Sequence, residues 1–260
     1  MHGRWKLGAG ALGVAALLAG AAASAGPAVA SASRSVALRT VTSRPEVVVH
    51  GVGNIQKASN WSGYAETAGG YTSVTGTWKV PTSKNKSGTH FSAQWIGIDG
   101  DGNDDLIQTG TQVQYEGGSV SYGAWWEILP ASETPISDPV RPGDTIKASI
   151  TKESSGKWLI EISDGTKWSF SITKSYSGPG KSVEWIVEAP EVGGSIASMG
   201  HTSNVTFSGI TANGANPNLV AADAIECVQN SKVVESPSKP SASGDAFTMA
   251  YGAKAPAPPK

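Results

Sequence analysis

Trp158-Leu-Ile-Glu-Ile-Ser-Asp-Gly-Thr-Lys-Trp-Ser-Phe-Ser-Ile-Thr173 is the stretch that decides the fold class. Two runs, Trp158–Ser163 and Trp168–Thr173, place apolar residues at every second position. A period of two is the mark of a strand with one face buried and one face wet. Asp164-Gly165 between them supplies turn chemistry, because glycine reaches positive φ without steric penalty. The pair predicts a β-hairpin.

The same pattern repeats outward from this hairpin. Thr145–Thr151 alternates strictly, and Thr72–Val80 alternates until Pro81. Phe91–Ile98 runs into Asp99-Gly100, and Val120–Leu129 stops at Pro130. Val183–Glu188, Asn204–Ser208 and Ala246–Tyr251 complete the series. Strand signals at a spacing of about 8–12 residues, with turn residues between them, point to a sandwich. The 32 glycines and 15 prolines fit many turns and few helices. The expected fold is all-β: a single antiparallel β-sandwich.

Charged residues make up only 16% of the 260, and the formal net charge is −1. No global field draws such a chain to nucleic acid or to an anionic membrane, so neither is an expected partner. His2, Arg4 and Lys6 precede an uncharged run, Leu7–Ala25, followed by Ala23-Ser-Ala25, Ala28-Val-Ala30 and Ala30-Ser-Ala32. This is the pattern of a secretory signal peptide, read as residues 1–30, and it implies a secreted, extracellular protein. Residues 31–57 carry Arg34, Arg39, Arg44 and Lys57 with almost no acids, and read equally as a propeptide or a flexible arm. The sandwich domain is expected over 58–252, with a loose Ala/Pro/Lys tail at 253–260. Cys227 is the only cysteine, so no disulfide forms within the chain, and it reads as a small buried hydrophobe. A monomer is expected.

The chemistry-bearing candidates narrow by elimination. Asp99–Asp105 has Asp104 and Gly110 where an EF-hand requires glycine and glutamate. The four histidines show no ligand spacing, so neither a metal nor any other cofactor is expected. No Gly-x-Ser-x-Gly elbow is present. Carboxylates remain. Glu184 and Glu188 share one strand face with Ile186, while Trp185 and Val187 share the other. Glu127 ends the run Trp125-Trp126-Glu127, beside large aromatics. Gln108 is a neutral amide in the otherwise apolar run Leu106–Gly110, and the pattern leaves it as either a core amide or a site donor.

Five segments, taken in order, resemble a known family. Ser59-Asn-Trp-Ser-Gly63, Trp95-Ile-Gly-Ile-Asp-Gly100, Leu106-Ile-Gln-Thr-Gly110, Ala124-Trp-Trp-Glu127 and Glu184-Trp-Ile-Val-Glu188 look like the glutamic peptidases, the eqolisins. The resemblance implies a sandwich of two large antiparallel sheets and acid-acting endopeptidase activity on protein and peptide substrates. It implies a catalytic pair at Gln108 and Glu188, with Gln108 a better match than Gln94. It places Trp61 and Glu127 along the substrate cleft, with Trp95 and Trp125 beside them and Asp99 in a supporting role. Ser92-Ala93-Gln94 departs from the pattern, because the family often has a hydroxyl residue aimed at the cleft there. The rival reading is a secreted carbohydrate-binding or glycoside-hydrolysing sandwich, with Glu184 and Glu188 as its paired acids.

Overall fold

The computed structural model describes residues 49–50 and 55–260, apart from 155. The expected signal peptide and most of the expected arm lie outside the described residues. In chain order the strands are β1 (Val49–His50), β2 (Gln56–Ala58), β3 (Trp61–Glu66), β4 (Ser73–Lys79), β5 (Thr89–Ile98) and β6 (Ile107–Glu116). There follow β7 (Ser119–Ile128), β8 (Thr134–Ile136), β9 (Thr145–Ser154), β10 (Lys157–Asp164), β11 (Trp168–Ser175) and β12 (Val183–Glu188). The last six are β13 (Glu191–Val192), β14 (Ser195–Ile196), β15 (Val205–Ala212), β16 (Ala224–Gln229), β17 (Lys232–Pro237) and β18 (Phe247–Tyr251). Among the described residues the one helical element is a 3-10 turn at Ala221–Asp223. The fold is all-β, as the alternation predicts.

The strands pair in the order β11-β10-β9-β4-β15-β18-β17-β16-β3-β12-β5-β6-β7-β8. The path folds back on itself at β15. Val205–Phe207 of that strand pair with β18, whereas Ser208 and Thr211–Ala212 pair with β4. A bulge separates the two halves, and Gly209 sits in it at φ +56°, where a side chain would be strained. The result is two layers, β11-β10-β9-β4-β15 against the longer run from β18 to β8. The hairpin expected over Trp158–Thr173 forms, with Asp164 opposite Trp168. Gln56–Ala58 also joins the sheet, in parallel with Ile225–Cys227. The tail from Ala253 has no regular element and is mostly exposed.

The core lies between the layers and is built by strand parity. Val74 and Trp78 of β4, Ile146 and Ile150 of β9, and Trp158, Ile160 and Ile162 of β10 face Ile96, Ile98, Val183, Trp185 and Val187. Burying one tryptophan removes roughly 200 Å² of surface, worth about 5 kcal/mol at 25 cal/mol per Å². Two indoles also tie the layers by hydrogen bonds. Trp78 Nε1 donates to Thr111 Oγ1 at 3.0 Å, and Trp185 Nε1 donates to the Thr75 carbonyl at 2.8 Å. A second apolar cluster, with Trp61, Trp95, Leu106, Trp125 and Ile186, lies on the other face of the longer layer. The tryptophans therefore divide between the sandwich core and a second aromatic face. Cys227 is fully buried with a free thiol, and burial pushes that thiol up.

Candidate active site

The second aromatic face carries the candidate chemistry, and the strand register orders it into rungs. Trp61, Glu188, Ala93, Gln112 and Gly123 form one rung across β3, β12, β5, β6 and β7. Gly63, Ile186, Trp95, Gly110 and Trp125 form the next. Ala65, Glu184, Gly97, Gln108 and Glu127 form the third. Paired residues on neighbouring strands share a face, so all the sequence-predicted residues except Asp99 project from one side. Glu188 and Gln108 lie diagonally, on either side of the Trp95 rung.

Gly110 is dictated by close approach. A Cβ there would lie 2.2 Å from the Gln94 carbonyl oxygen and 2.6 Å from Trp95 Cβ. Its missing side chain leaves the room that the Trp95 side chain occupies beside it.

Glu188 is fully buried, and both of its oxygens accept hydrogen bonds. Trp95 Nε1 donates to Oε2 at 2.8 Å, and Asn60 Nδ2 donates to Oε1 at 3.2 Å. Trp61 packs edge-on against Trp95 at 4.8 Å between ring centroids. Gln108 is also fully buried, and its Nε2 donates to Glu127 Oε2 at 2.6 Å. That bond uses one amide hydrogen and fixes the amide's orientation. Gln108 Oε1, Trp61 Nε1 and Trp125 Nε1 are buried with no hydrogen-bond partner. One acceptor and two donors are thus left for a ligand on this face. An orphaned buried polar group costs about 1–3 kcal/mol, which the polar groups of a bound ligand would offset.

Asp99 does different work. It is fully buried at the end of β5 and sits at φ +69°. Its oxygens accept from the Tyr176 hydroxyl at 2.7 Å, the Gly180 amide at 2.9 Å, the Lys181 amide at 2.8 Å and Asn103 Nδ2 at 3.2 Å. It clamps the segment before β12 to the end of β5.

Glu184 does not face Glu188. Four residues of extended strand separate their Cα atoms by about 13 Å. Glu184 is fully buried, and burial holds its carboxyl well above the usual range, with Asp101 and Asp99 adding to the effect. Ser182 and the Asp101 backbone offset this in part, though neither makes a well-formed hydrogen bond to it. Glu188 is held by Trp95 and Asn60, whereas Glu184 lies near Asp101 and Asp99, so the two carboxyls meet different partners.

Several polar residues on this face were not anticipated. Gln114 Nε2 donates to Gln112 Oε1 at 2.9 Å, and Gln112 Nε2 donates to Glu133 Oε1 at 2.8 Å; all three residues are buried. Gln112 and Gln114 share strand parity with Gln108, and that is a signal the sequence did contain. A groove of about 480 Å³ opens elsewhere, on the outer face of the other layer, lined by Thr75, Ser149, Glu161 and Ser171.

The sequence profile of the Peptidase A4 family matches residues 59–251. The chain belongs to the Peptidase A4 family. Aspergillopepsin-2 from Aspergillus niger is 31% identical over 235 residues, covering 78% of this chain and 81% of its own length. Scytalido-glutamic peptidase, solved with a transition-state analog inhibitor, shares the fold with a TM-score of 0.64 at 24% identity. That match covers 74% of this chain and 98% of the other. The aspergilloglutamic peptidase of Aspergillus niger matches at 30% identity and a TM-score of 0.51, over 62% of this chain and 99% of its own. The resemblance to the glutamic peptidases therefore holds, and this Peptidase A4 member is a hydrolase of peptide bonds.

Proposed function

We propose that this Peptidase A4 member is a secreted endopeptidase that works in acid, with Glu188 as general base and Gln108 as its partner. The observation that carries the reading is the hold on Glu188: a buried carboxylate whose two oxygens each accept a neutral donor. Neutral donors orient a carboxylate and favour its ionised form without supplying a proton of their own. Gln108, on the same face, keeps one amide hydrogen and its carbonyl oxygen for substrate.

The reaction is direct attack by water. Glu188 takes a proton from the water as its oxygen bonds to the scissile carbonyl carbon. The spare Gln108 N–H donates to the developing oxyanion, and Gln108 Oε1 accepts from the water. Protonated Glu188 then passes its proton to the leaving nitrogen, the C–N bond breaks, and an acid and an amine leave. One oxyanion donor is worth about 2.7–4 kcal/mol. Trp61 and Trp125 line the cleft, and their unpartnered indole N–H groups suit carbonyls of an extended peptide.

Operation in acid is supported by the buried carboxyls around the site. Burial raises the Glu184 carboxyl well above its ordinary range, and Glu235 is pushed up to about 8 by the same cause. Secretion is supported by the N-terminal sequence.

The test is digestion of a protein substrate near pH 3.5 by Glu188→Gln and Gln108→Ala. Glu188→Gln should be inactive, and Gln108→Ala should lose about two to three orders of magnitude in kcat. Glu188→Gln retaining most of the wild-type rate sinks the assignment.

A further inference from the structure

We infer that Asn60 is a positioning residue for Glu188, held in place from behind by β16. Asn60 occupies the two-residue step between β2 and β3, and it is buried. It grips the end of β12 twice. Its backbone carbonyl accepts from the Ala189 amide at 2.8 Å, and its side-chain amide donates to Glu188 Oε1 at 3.2 Å. The preceding carbonyl, that of Ser59, accepts from Gln229 Nε2 and from Cys227 Sγ, both at 3.3 Å. Gln229 Nε2 also donates to the Ala197 carbonyl at 2.9 Å. The step therefore cannot swing away from β12 without breaking bonds on both sides.

The chemistry needs this geometry. A carboxylate has about four lone-pair sites, and a general base must keep one aimed at the attacking water. Trp95 holds Oε2 and Asn60 holds Oε1, so the carboxylate plane is set by two fixed donors. An amide does this without titrating, whereas an acid in its place would share protons with Glu188. Asn60-Trp-Ser62 is also a glycosylation sequon, but its asparagine is 1% exposed and already engaged, so the motif serves the site.

The inference rests on the reading of Glu188 as general base, and the test separates the two. The pH dependence of kcat/KM is measured for wild type, Asn60→Ala, Asn60→Ser and Glu188→Gln, with an unfolding midpoint for each. Loss of a donor to the carboxylate should move the acid limb of Asn60→Ala up by about one pH unit. Its plateau kcat should fall about tenfold with KM within about twofold, and Asn60→Ser, which keeps a donor, should recover most of the limb. Should Asn60→Ala not fold, the Asn60→Ser limb, lying between wild type and the shifted value, carries the test. An acid limb of folded Asn60→Ala that stays at the wild-type position, or a loss confined to KM, overturns the inference while inactive Glu188→Gln leaves the general base standing. An active Glu188→Gln overturns both.

Discussion

Replacing Glu235 by glutamine should remove a titration that couples folding to pH. Glu235 sits on β17 opposite Cys227, is 2% exposed, and has one carboxyl oxygen without a hydrogen bond. Burial pushes it from an ordinary 4.5 to about 8. The folded state therefore holds its proton where the unfolded chain has already released it. Below pH 4.5 both states are protonated and the contribution is fully present. Between 4.5 and about 8 stability falls, and above about 8 the loss is complete. A span of about 3.5 pH units at 1.36 kcal/mol each gives about 5 kcal/mol. For a domain of roughly 200 residues this is a Tm loss of about 10–20 °C. The assay is thermal unfolding followed by circular dichroism at pH 4 and pH 8, for wild type and Glu235→Gln. Glu184 remains in both proteins and falls in the same direction, so the difference between the two Tm losses reads Glu235 alone. Equal losses, within a degree or two, would refute the reasoning.

Gly110→Ala should cost more than about 3 kcal/mol, because its Cβ would collide with the backbone of Gln94 and Trp95 rather than with a movable side-chain tip; soluble yield and the urea midpoint check this. Asp99→Asn should tolerate the positive φ but present an NH2 group to one pair of donors among Tyr176, Gly180, Lys181 and Asn103. The expected loss is about 2–4 kcal/mol, read by urea unfolding, with faster proteolytic cutting within 176–182.

The sandwich is legible in the sequence where one face of a strand is wet. β9, β10 and β11 alternate legibly, because their outer residues, Leu159 apart, are Lys, Thr, Ser and Glu. β6 is half hidden, because Gln108, Thr109, Thr111, Gln112 and Gln114 are polar yet buried, so hydropathy does not mark the strand. β3, β16 and β17 are hidden for a related reason: β3 pairs with strands far along the chain, Ser62 and Gly63 interrupt its apolar run, and Glu226 and Glu235 interrupt those of β16 and β17. Parity put Glu184 and Glu188 on one face, and the structure agrees. Parity could not reveal that Glu184 meets the Asp99–Asp101 loop while Glu188 meets Trp95 and Asn60. Those contacts depend on which loops cross the end of the sheet, and a period of two carries nothing about that. Nothing in the sequence around Asn60 marks its task, since its partner Glu188 lies 128 residues away.

β15 belongs to both layers, three residues to one and the rest to the other across the bulge at Gly209. A sandwich held only by side-chain contact could open like a book, with one leaf exchanging its amide hydrogens before the other. Here one backbone continues from the ladder of one leaf into that of the other, so parting the leaves along this edge strains the pairing on both sides of Gly209. Amide protons of β4 and β18 should then exchange with solvent at a common rate, through one concerted opening. In a chain with one buried thiol and no disulfide, that shared strand is the covalent hinge pin of the two leaves.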